Sequence, residues 1–418
     1  MERGTKGLLA ALQNIDFRYF LSVRFFATFA SQMTSTLMAW QVYKLTRDPL
    51  SLGLIGLFEV LPFMSVTLFA GHYVDRLSRR KIIIIADAVL LICSIVLAIF
   101  SFSNILKTGS WGVWPIYLIN IITGVGRAFL FPAMTALRAN IIKGELIQNS
   151  IAWNVNIWYT AAIAGPALAG ILYDLIGVGN SYIVASVFFL IAIISIFKIK
   201  EPGRSESQTN EDIWTSLRQG IHFVFNRKII LGAITLDLFA VLFGGVVALL
   251  PVFATEILKV NATGLGILRA APFIGALLSG IFLAAKPLRA KVGLILLACV
   301  GLFGISNLCF SFSTNLYLSA FFMALSGAFD NVSVFIRHTI MQLYVPDNMR
   351  GRVSAVEGIF ISSSNELGSF ESGFAAKIMG LIPSVVFGTS MTFLSVGITT
   401  WFAPDIKGLD WSNGMEEE

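Results

Sequence analysis

Charged side chains are scarce in this chain. They make up 13% of its 418 residues, whereas a soluble globular domain carries about 25%. Hydrophobic residues reach 56%, and they form long runs, each sufficient to cross the ~30 Å apolar layer of a bilayer. This balance argues against an ordinary soluble domain and predicts an all-α integral membrane protein.

Paired cysteines, clustered histidines and phosphate-binding loops are missing from the sequence. The cysteines Cys93, Cys299 and Cys309 lie in apolar runs without paired spacing, so we interpret them as packing residues. The three histidines show no metal-ligand spacing, and no G-x-x-x-x-G-K-[ST] loop occurs. We therefore expect no cofactor, no metal site, no enzymatic activity and no direct use of ATP.

The net charge of +6 does not indicate a nucleic-acid partner. Lys and Arg concentrate in short segments at the ends of apolar runs, where they determine orientation in the membrane. Loops rich in these cations stay in the cytoplasm, and on this basis both termini are expected to be cytoplasmic. The expected location is a plasma membrane, as in the inner membrane of a bacterium.

Hydropathy predicts twelve membrane-spanning helices in two groups of six. The first group covers residues 17–43, 50–74, 82–102, 113–141, 151–175 and 182–197. The second group covers residues 229–253, 265–284, 292–312, 317–344, 353–379 and 384–401. A polar linker at residues 201–212 and an amphipathic interfacial helix separate the groups. The predicted domains are residues 1–198, 199–228, 229–402 and a tail at 403–418.

Residues 71–81, with the sequence GHYVDRLSRRK, form a basic segment between the second and third predicted helices. Such density of cations indicates a cytoplasmic loop. Gly71 is expected to let helices approach closely. Asp75 lies at a helix C-terminal end, where the helix dipole disfavours a carboxylate. A lone carboxylate in that position is expected to have partners.

This segment resembles the G-x-x-x-D-R-x-x-R-R-K signature of the major facilitator superfamily. The resemblance implies two six-helix halves related by pseudo-symmetry, with a substrate site between them near the midplane of the membrane. It also implies that Asp75 contacts the start of the eleventh helix and closes the cytoplasmic face. The gate residues would be Gly71, Asp75, Arg76, Arg79, Arg80, Arg350 and Arg352.

Two further motifs refine the resemblance. Gly165, Pro166 and Gly170 in the sequence GPALAG resemble the fifth-helix G-P-x-x-G-G motif of superfamily antiporters, with Ala169 in place of one glycine. Residues 368–373 repeat the G-x-x-x-x-G spacing in the second half. Residues 337–355 resemble the drug and siderophore exporter group that includes the enterobactin exporter.

Charged side chains within the predicted helices are the candidates for transport chemistry, because each costs ~3 kcal/mol or more at the bilayer centre unless it has a partner or faces a cavity. Burial favours the neutral form of a carboxylate, which makes Glu59, Asp330 and Glu366 the proton-coupling candidates. The substrate-cavity candidates are Arg24, Gln32, Trp40, Arg127, Asn154, Trp158, Arg337 and Glu371. The alternative is that these charges pair with one another as structural links, and for Arg127 and Asp75 a link or gate is favoured.

These observations favour a secondary active transporter that exports an amphipathic siderophore or drug-like molecule by alternating access with proton antiport. The alternatives are uptake of a ferric siderophore or another nutrient, and a membrane receptor that does not transport. The expected partners are a small-molecule substrate, protons or another coupling ion, and the bilayer. The protein is expected to act as a monomer.

Overall fold

The computed structural model describes residues 9–103, 105–106, 110–200, 213–286, 288 and 290–411. The side chains of some helical residues, including Asp75, Arg76 and Arg350, lie outside the described part. The described chain contains helices and short turns but no strand. The α-helices are α1 (Ile15–Thr46), α2 (Pro49–Arg76), α3 (Arg79–Phe102), α4 (Trp114–Ile141), α5 (Ile147–Phe197), α6 (Ile213–Phe225), α7 (Lys228–Phe243), α8 (Val246–Val252), α9 (Ala262–Ala285), α10 (Val292–Phe312), α11 (Leu316–Tyr344), α12 (Asp347–Met379) and α13 (Leu381–Phe402).

Nine stretches of helix within the described residues are long and apolar enough to cross a membrane. One of them, α5, contains two spans, because Gly177 has non-helical dihedral angles of φ 78° and ψ 168° in its middle. Helices α1 and α12 have 32 and 33 residues but contain more polar side chains, which keeps them out of the nine. When α5 is counted as two spans and α1 and α12 are added to the nine stretches, the described helices are consistent with twelve spans.

The two predicted helices at residues 151–175 and 182–197 correspond to the two parts of α5. The predicted helix at residues 229–253 is interrupted, since Gly244 and Gly245 separate α7 from α8. A Cβ atom at Gly245 would lie 2.5 Å from the main-chain oxygen of Gly368 in α12. Glycine both permits this approach and weakens the helix, which explains the break.

The chain divides into two compact units, and the first comprises α1, α2 from Phe58 onward, α3, α4, α5 and Asn261–Ala270. Within this unit α1 packs along α5, and α3 packs against α4 and α5. Its main hydrophobic cluster joins Phe20 of α1, Ile83 of α3 and Leu137 of α4. Outward-facing Ile85, with 63% exposure, shows the apolar surface that lipid would cover.

The second unit comprises Asp48–Leu57, α6, α7, α8, α9 from Ala271 onward, and α10 to α13. Here α10 packs against α11 and α13, while α7 packs against α12 and α13. Leu236 of α7, Leu296 of α10 and Ile340 of α11 share one hydrophobic cluster. The predicted domain limits at residues 198 and 229 stay a prediction.

The predicted helix after the linker is present as α6, and its position at the membrane interface stays a prediction. It packs against α12, where Gly220 brings its backbone close to Arg352: a Cβ at Gly220 would lie 2.7 Å from the Arg352 main-chain oxygen. Val224 near the end of α6 is fully buried beside Met341 and Val356. The C-terminal part of α6 therefore contributes to the core of the second unit.

Candidate functional site

The basic segment at residues 71–81 joins the end of α2 to the start of α3. Arg79 is buried and donates from Nη1 to Oδ1 of Asn140 in α4, and Arg80 donates to the main-chain oxygen of Phe197 at 2.6 Å. Both cations thus fasten α3 to the ends of neighbouring helices in the first unit. Among the described residues, no heavy atom lies within 4 Å of the position that a Cβ would take at Gly71, so the close approach expected there stays a prediction.

The remaining gate candidates are only partly described. The side chains of Asp75, Arg76 and Arg350 lie outside the described residues. Arg352 is half-buried, and its Nη1 lies 3.5 Å from Sδ of Met349 one turn earlier on α12. The closure of the cytoplasmic face through Asp75 accordingly stays a prediction.

Glu59 and Arg127 form an ion pair that links α2 to α4 in the first unit. The Glu59 side chain is 13% exposed and that of Arg127 is 47% exposed. Gly124 lets α4 approach α2 at this level, since a Cβ there would lie 3.0 Å from Cγ of Pro62. One proton-coupling candidate and one substrate-cavity candidate are therefore joined to each other.

The predicted cavity residues of α1 have different surroundings. Arg24 is half-buried, and its buried Nε has no hydrogen-bond partner among the described residues. Gln32 is half-buried beside Gly165 of α5. Trp40 is buried, with its ring edge-on to Tyr173 of α5 at 6.2 Å between centroids. Trp40 thus belongs to the packing between α1 and α5, whereas Arg24 is a half-buried cation.

On α5, Asn154 and Trp158 are half-buried, and the Trp158 ring lies against Tyr159. The motif that follows them allows close contact between backbones. A Cβ at Gly165 would lie 2.8 Å from the main-chain oxygen of Phe29 in α1, and one at Gly170 would lie 2.8 Å from the carbonyl carbon of Ala262. The glycines of this motif therefore serve helix packing in the first unit.

The acidic candidates of the second unit lie on α11 and α12. Asp330 and Glu366 are half-buried. Glu371 is half-buried too, and its Oε2 lies 3.5 Å from the hydroxyl of Ser372. Arg337 is buried and forms an ion pair with Asp237 of α7. Thus Arg337 is engaged by a carboxylate in the same way as Arg127.

Two features of the structure were not among the predicted site residues. Asp87 of α3 is fully buried, and neither of its carboxylate oxygens has a hydrogen-bond partner among the described residues. Glu357 of α12 is 8% exposed and lies near His338 of α11. Asp87 interrupts an apolar run and could have been found by the rule that selected Glu59. The approach of His338 to Glu357 depends on packing between helices, which the sequence does not show.

Comparison with known proteins places these helices in a family. A family model described as "Transmembrane secretion effector" matches residues 6–410. The multidrug efflux pump Tap of Mycolicibacterium fortuitum is 24% identical over 389 residues, which cover 90% of this chain and 93% of that protein. Macrolide efflux protein A of Streptococcus pyogenes is 22% identical, with 86% and 91% coverage. The enterobactin exporter EntS of Salmonella typhi is 22% identical, with 90% and 93% coverage.

Solved structures support the fold independently of sequence. A crystal structure of a mutant of the nucleoside transporter NupG superposes with a TM-score of 0.70 at 11% identity, covering 93% of this chain and 99% of the other. At that identity the match concerns the fold alone. Taken with the family match over nearly the whole sequence, it shows that the chain is a membrane transporter, not an enzyme, and that it belongs to the transmembrane secretion effector family of the major facilitator superfamily.

Proposed function

We propose that the protein exports an amphipathic small molecule, of a drug-like or siderophore kind, by alternating access in exchange for protons. The support for export comes from relatives named as a multidrug efflux pump, a macrolide efflux protein and an enterobactin exporter. Each is matched over most of its own length. The proposed location is the cytoplasmic membrane of a bacterium, with both termini in the cytoplasm and the protein acting as a monomer.

The observation that carries the proposal is the set of ionisable side chains buried within helices of membrane-spanning length. Asp87 is 0% exposed, and the side chains of Arg337 and Asp237 are 6% and 7% exposed. Ionisable groups at membrane depth are costly and are found mainly in ion or substrate pathways. Such groups are what a transporter coupled to protons requires.

Three of the substrate-cavity candidates, Arg24, Arg127 and Arg337, are arginines, which suit an anionic ligand. Their surroundings in the structure differ. Arg127 and Arg337 are each paired with a carboxylate. Arg24 has no ion pair among the described residues, and it lies on α1, which also carries Gln32. We therefore favour Arg24 as the cation that meets an anionic group of the substrate. Glu371, Asn154 and Trp158 are proposed to line the same path.

For the coupling proton, Glu59, Asp330 and Glu366 remain the carboxylates proposed from the sequence. Glu59 is paired with Arg127, and this link between α2 and α4 gives it a structural role that weakens its candidacy. Asp330 and Glu366 are half-buried on α11 and α12. The gate formed by Gly71, Asp75, Arg79 and Arg352 is proposed to open and close the cytoplasmic face in each cycle.

The test is transport by purified protein in liposomes under an imposed pH gradient. Ethidium, erythromycin and a catecholate siderophore with and without iron are the probes, and internal pH is recorded with probe movement. Movement of a probe against the proton flow is the expected result, and the variants Asp330→Asn and Glu366→Gln test whether either carboxylate is needed for it. Movement together with protons, or of the iron-loaded siderophore alone, would overturn export in favour of uptake.

A further inference from the structure

Four titratable side chains from three helices meet inside the second unit. Asp237 of α7 forms an ion pair with Arg337 of α11. The next residue, His338, places Nδ1 3.9 Å from Oε1 of Glu357 on α12. Arg337 also acts electrostatically on Glu357. The two pairs therefore form one group, which we call the charge cluster.

The members of the charge cluster differ in their access to solvent. The side chains of Asp237 and Arg337 are 7% and 6% exposed, and that of Glu357 is 10% exposed. His338 is 55% exposed. The three charged side chains of Asp237, Arg337 and Glu357 are thus buried, whereas the imidazole of His338 lies at the surface of the chain beside Glu357.

The charges of the cluster do not balance without a bound proton. Two carboxylates, Asp237 and Glu357, face one guanidinium, that of Arg337, so the net charge is −1 when His338 is neutral. A net charge in a poorly solvated interior is strongly disfavoured. One proton, on Glu357 or on His338, brings the net charge to zero. Because Glu357 and His338 are neighbours, a proton bound by one of them affects the binding of a proton by the other.

Other titratable groups on the surrounding helices have their own neighbours. On α12, Arg352 lies against Met349. On α6, His222 pairs with Asn226 at 2.9 Å. Lys228 at the start of α7 lies over the ring of Phe402. On α11, Asp330 precedes Arg337 by about two helical turns, and Glu366 lies further along α12 than Glu357. Within the part of the chain that the structure describes, the charge of the cluster is accordingly assigned to its four members.

We propose that the charge cluster binds the coupling proton, which Glu357 holds and which His338 passes to and from water. This inference rests on the proposed exchange of substrate for protons and places the proton outside the candidates Glu59, Asp330 and Glu366. When Glu357 takes up a proton, its attraction for Arg337 disappears and Arg337 remains with Asp237. When the proton leaves, Glu357 again attracts both Arg337 and His338. Proton binding thereby changes the forces between α11 and α12.

Transport in liposomes tests the role of the cluster. Glu357→Gln keeps the size of the side chain but holds no exchangeable carboxyl proton. We expect it to lower gradient-driven movement of ethidium about tenfold or more, while exchange of ethidium without a gradient stays within about twofold. His338→Gln is expected to change the pH dependence of gradient-driven movement and to preserve exchange. Gradient-driven transport by Glu357→Gln at the level of the unchanged protein would overturn the proposal.

Matched controls come from the same unit. His222→Gln replaces a histidine outside the cluster, and Glu256→Gln replaces a glutamate of Phe253–Ile257, after α8. Both variants are expected to transport ethidium like the unchanged protein. A loss in these controls equal to that of the cluster variants would show that any such change disables transport, and it would refute the assignment.

A second measurement does not depend on transport. Dicyclohexylcarbodiimide reacts with protonated carboxyl groups in apolar surroundings, and mass spectrometry locates the modified residue. We expect Glu357 of the purified protein to be labelled more at about pH 6 than at about pH 8. Labelling of Asp330 or Glu366 with none at Glu357 would overturn the proposal. If the unchanged protein moves no ethidium under a pH gradient, proton-coupled export of this probe fails, and the labelling alone decides where the proton binds.

Discussion

The carboxylate of Asp174 in α5 caps the first turn of α9. Its Oδ2 accepts hydrogen bonds from the main-chain nitrogen and the hydroxyl of Thr263, at 2.9 and 2.6 Å. The first N–H groups of a helix have no partners within the helix, and the dipole favours a negative charge there. Asp174 therefore ties α5 to the beginning of α9 within the first unit.

Asp174→Ala is expected to destabilise the protein by ~0.5–2 kcal/mol, the usual cost of losing such a cap. The measurement is thermal unfolding of the purified protein in detergent. Thr263→Ser retains the hydroxyl donor and serves as the control, with an unfolding temperature near that of the unchanged protein. An Asp174→Ala variant as stable as this control would show that the cap contributes nothing.

Because Glu59 and Arg127 form an ion pair, we expect the effects of substituting them on the free energy of unfolding to be non-additive. Glu59→Gln leaves the Arg127 guanidinium without its carboxylate, and Arg127→Gln leaves Glu59 unpaired. We expect the double variant to be more stable than the sum of the two single losses by roughly 0.5–3 kcal/mol. Thermal unfolding of the four proteins gives this difference.

Transport by the same variants separates a structural link from a coupling role. If the pair is a link, the double variant recovers gradient-driven transport of ethidium. If Glu59 carries the proton, Glu59→Gln abolishes that transport and Arg127→Gln does not restore it. Additive effects on stability would show that the two side chains do not interact in the membrane protein.

Replacing Asp87 by an apolar residue is expected to stabilise the protein. The two carboxylate oxygens of Asp87 are buried and have no hydrogen-bond partner among the described residues, a condition that costs ~1–3 kcal/mol for a buried polar group. Asp87→Val removes the polar atoms with a small change in volume, so we expect a higher unfolding temperature. Asp87→Asn keeps the polar atoms and is expected to unfold near the unchanged protein.

Ser94 on the same helix provides the contrast. Its hydroxyl donates to the main-chain oxygen of Tyr182 at 3.0 Å, so Ser94→Val should lose ~1 kcal/mol. If Asp87→Val unfolds at a lower temperature, as Ser94→Val should, then Asp87 has a partner and the prediction fails. Transport by a stabilised Asp87→Val would further show whether this carboxylate takes part in coupling.

Gly327 of α11 lies against the backbone of α9 in the second unit. A Cβ there would lie 2.5 Å from the carbonyl carbon of Pro272, far inside van der Waals contact, and the Pro272 backbone cannot rotate away. We expect Gly327→Ala to force the helices apart and lower the unfolding temperature. Gly397→Ala, where no heavy atom lies within 4 Å of the Cβ position, is the control, and equal behaviour of the two would contradict the close contact.

The sequence predicted the fold well because membrane helices are specified locally. A run of ~20 apolar residues must form a helix in lipid, where every backbone group has to bond internally. The break between α7 and α8 was not predicted, since the pair Gly244 and Gly245 matters only when another helix approaches. Gly71 was expected to serve such an approach, and this stays a prediction, since no heavy atom of the described residues lies within 4 Å of its Cβ position.

Candidate charges could be found from the sequence, but their partners could not. The rule that charge within an apolar run has a function selected Glu59, Arg127, Arg337 and Asp330, and the same rule would also select Asp87. It does not show that Arg127 is engaged by Glu59 while Arg24 lacks an ion pair among the described residues. Those differences separate a structural link from a candidate for ligand binding.

Composition and local pattern alone determined that this chain is a helical membrane protein, because lipid solvation, helix length and the placement of cations each act over a few turns of the chain. Only the tertiary structure decided that Asp237, Arg337, His338 and Glu357 meet. Asp237 lies on α7, far earlier in the chain than Arg337 and His338 of α11 and Glu357 of α12. Side-chain electrostatics depends on distances of a few ångströms that helix packing alone establishes.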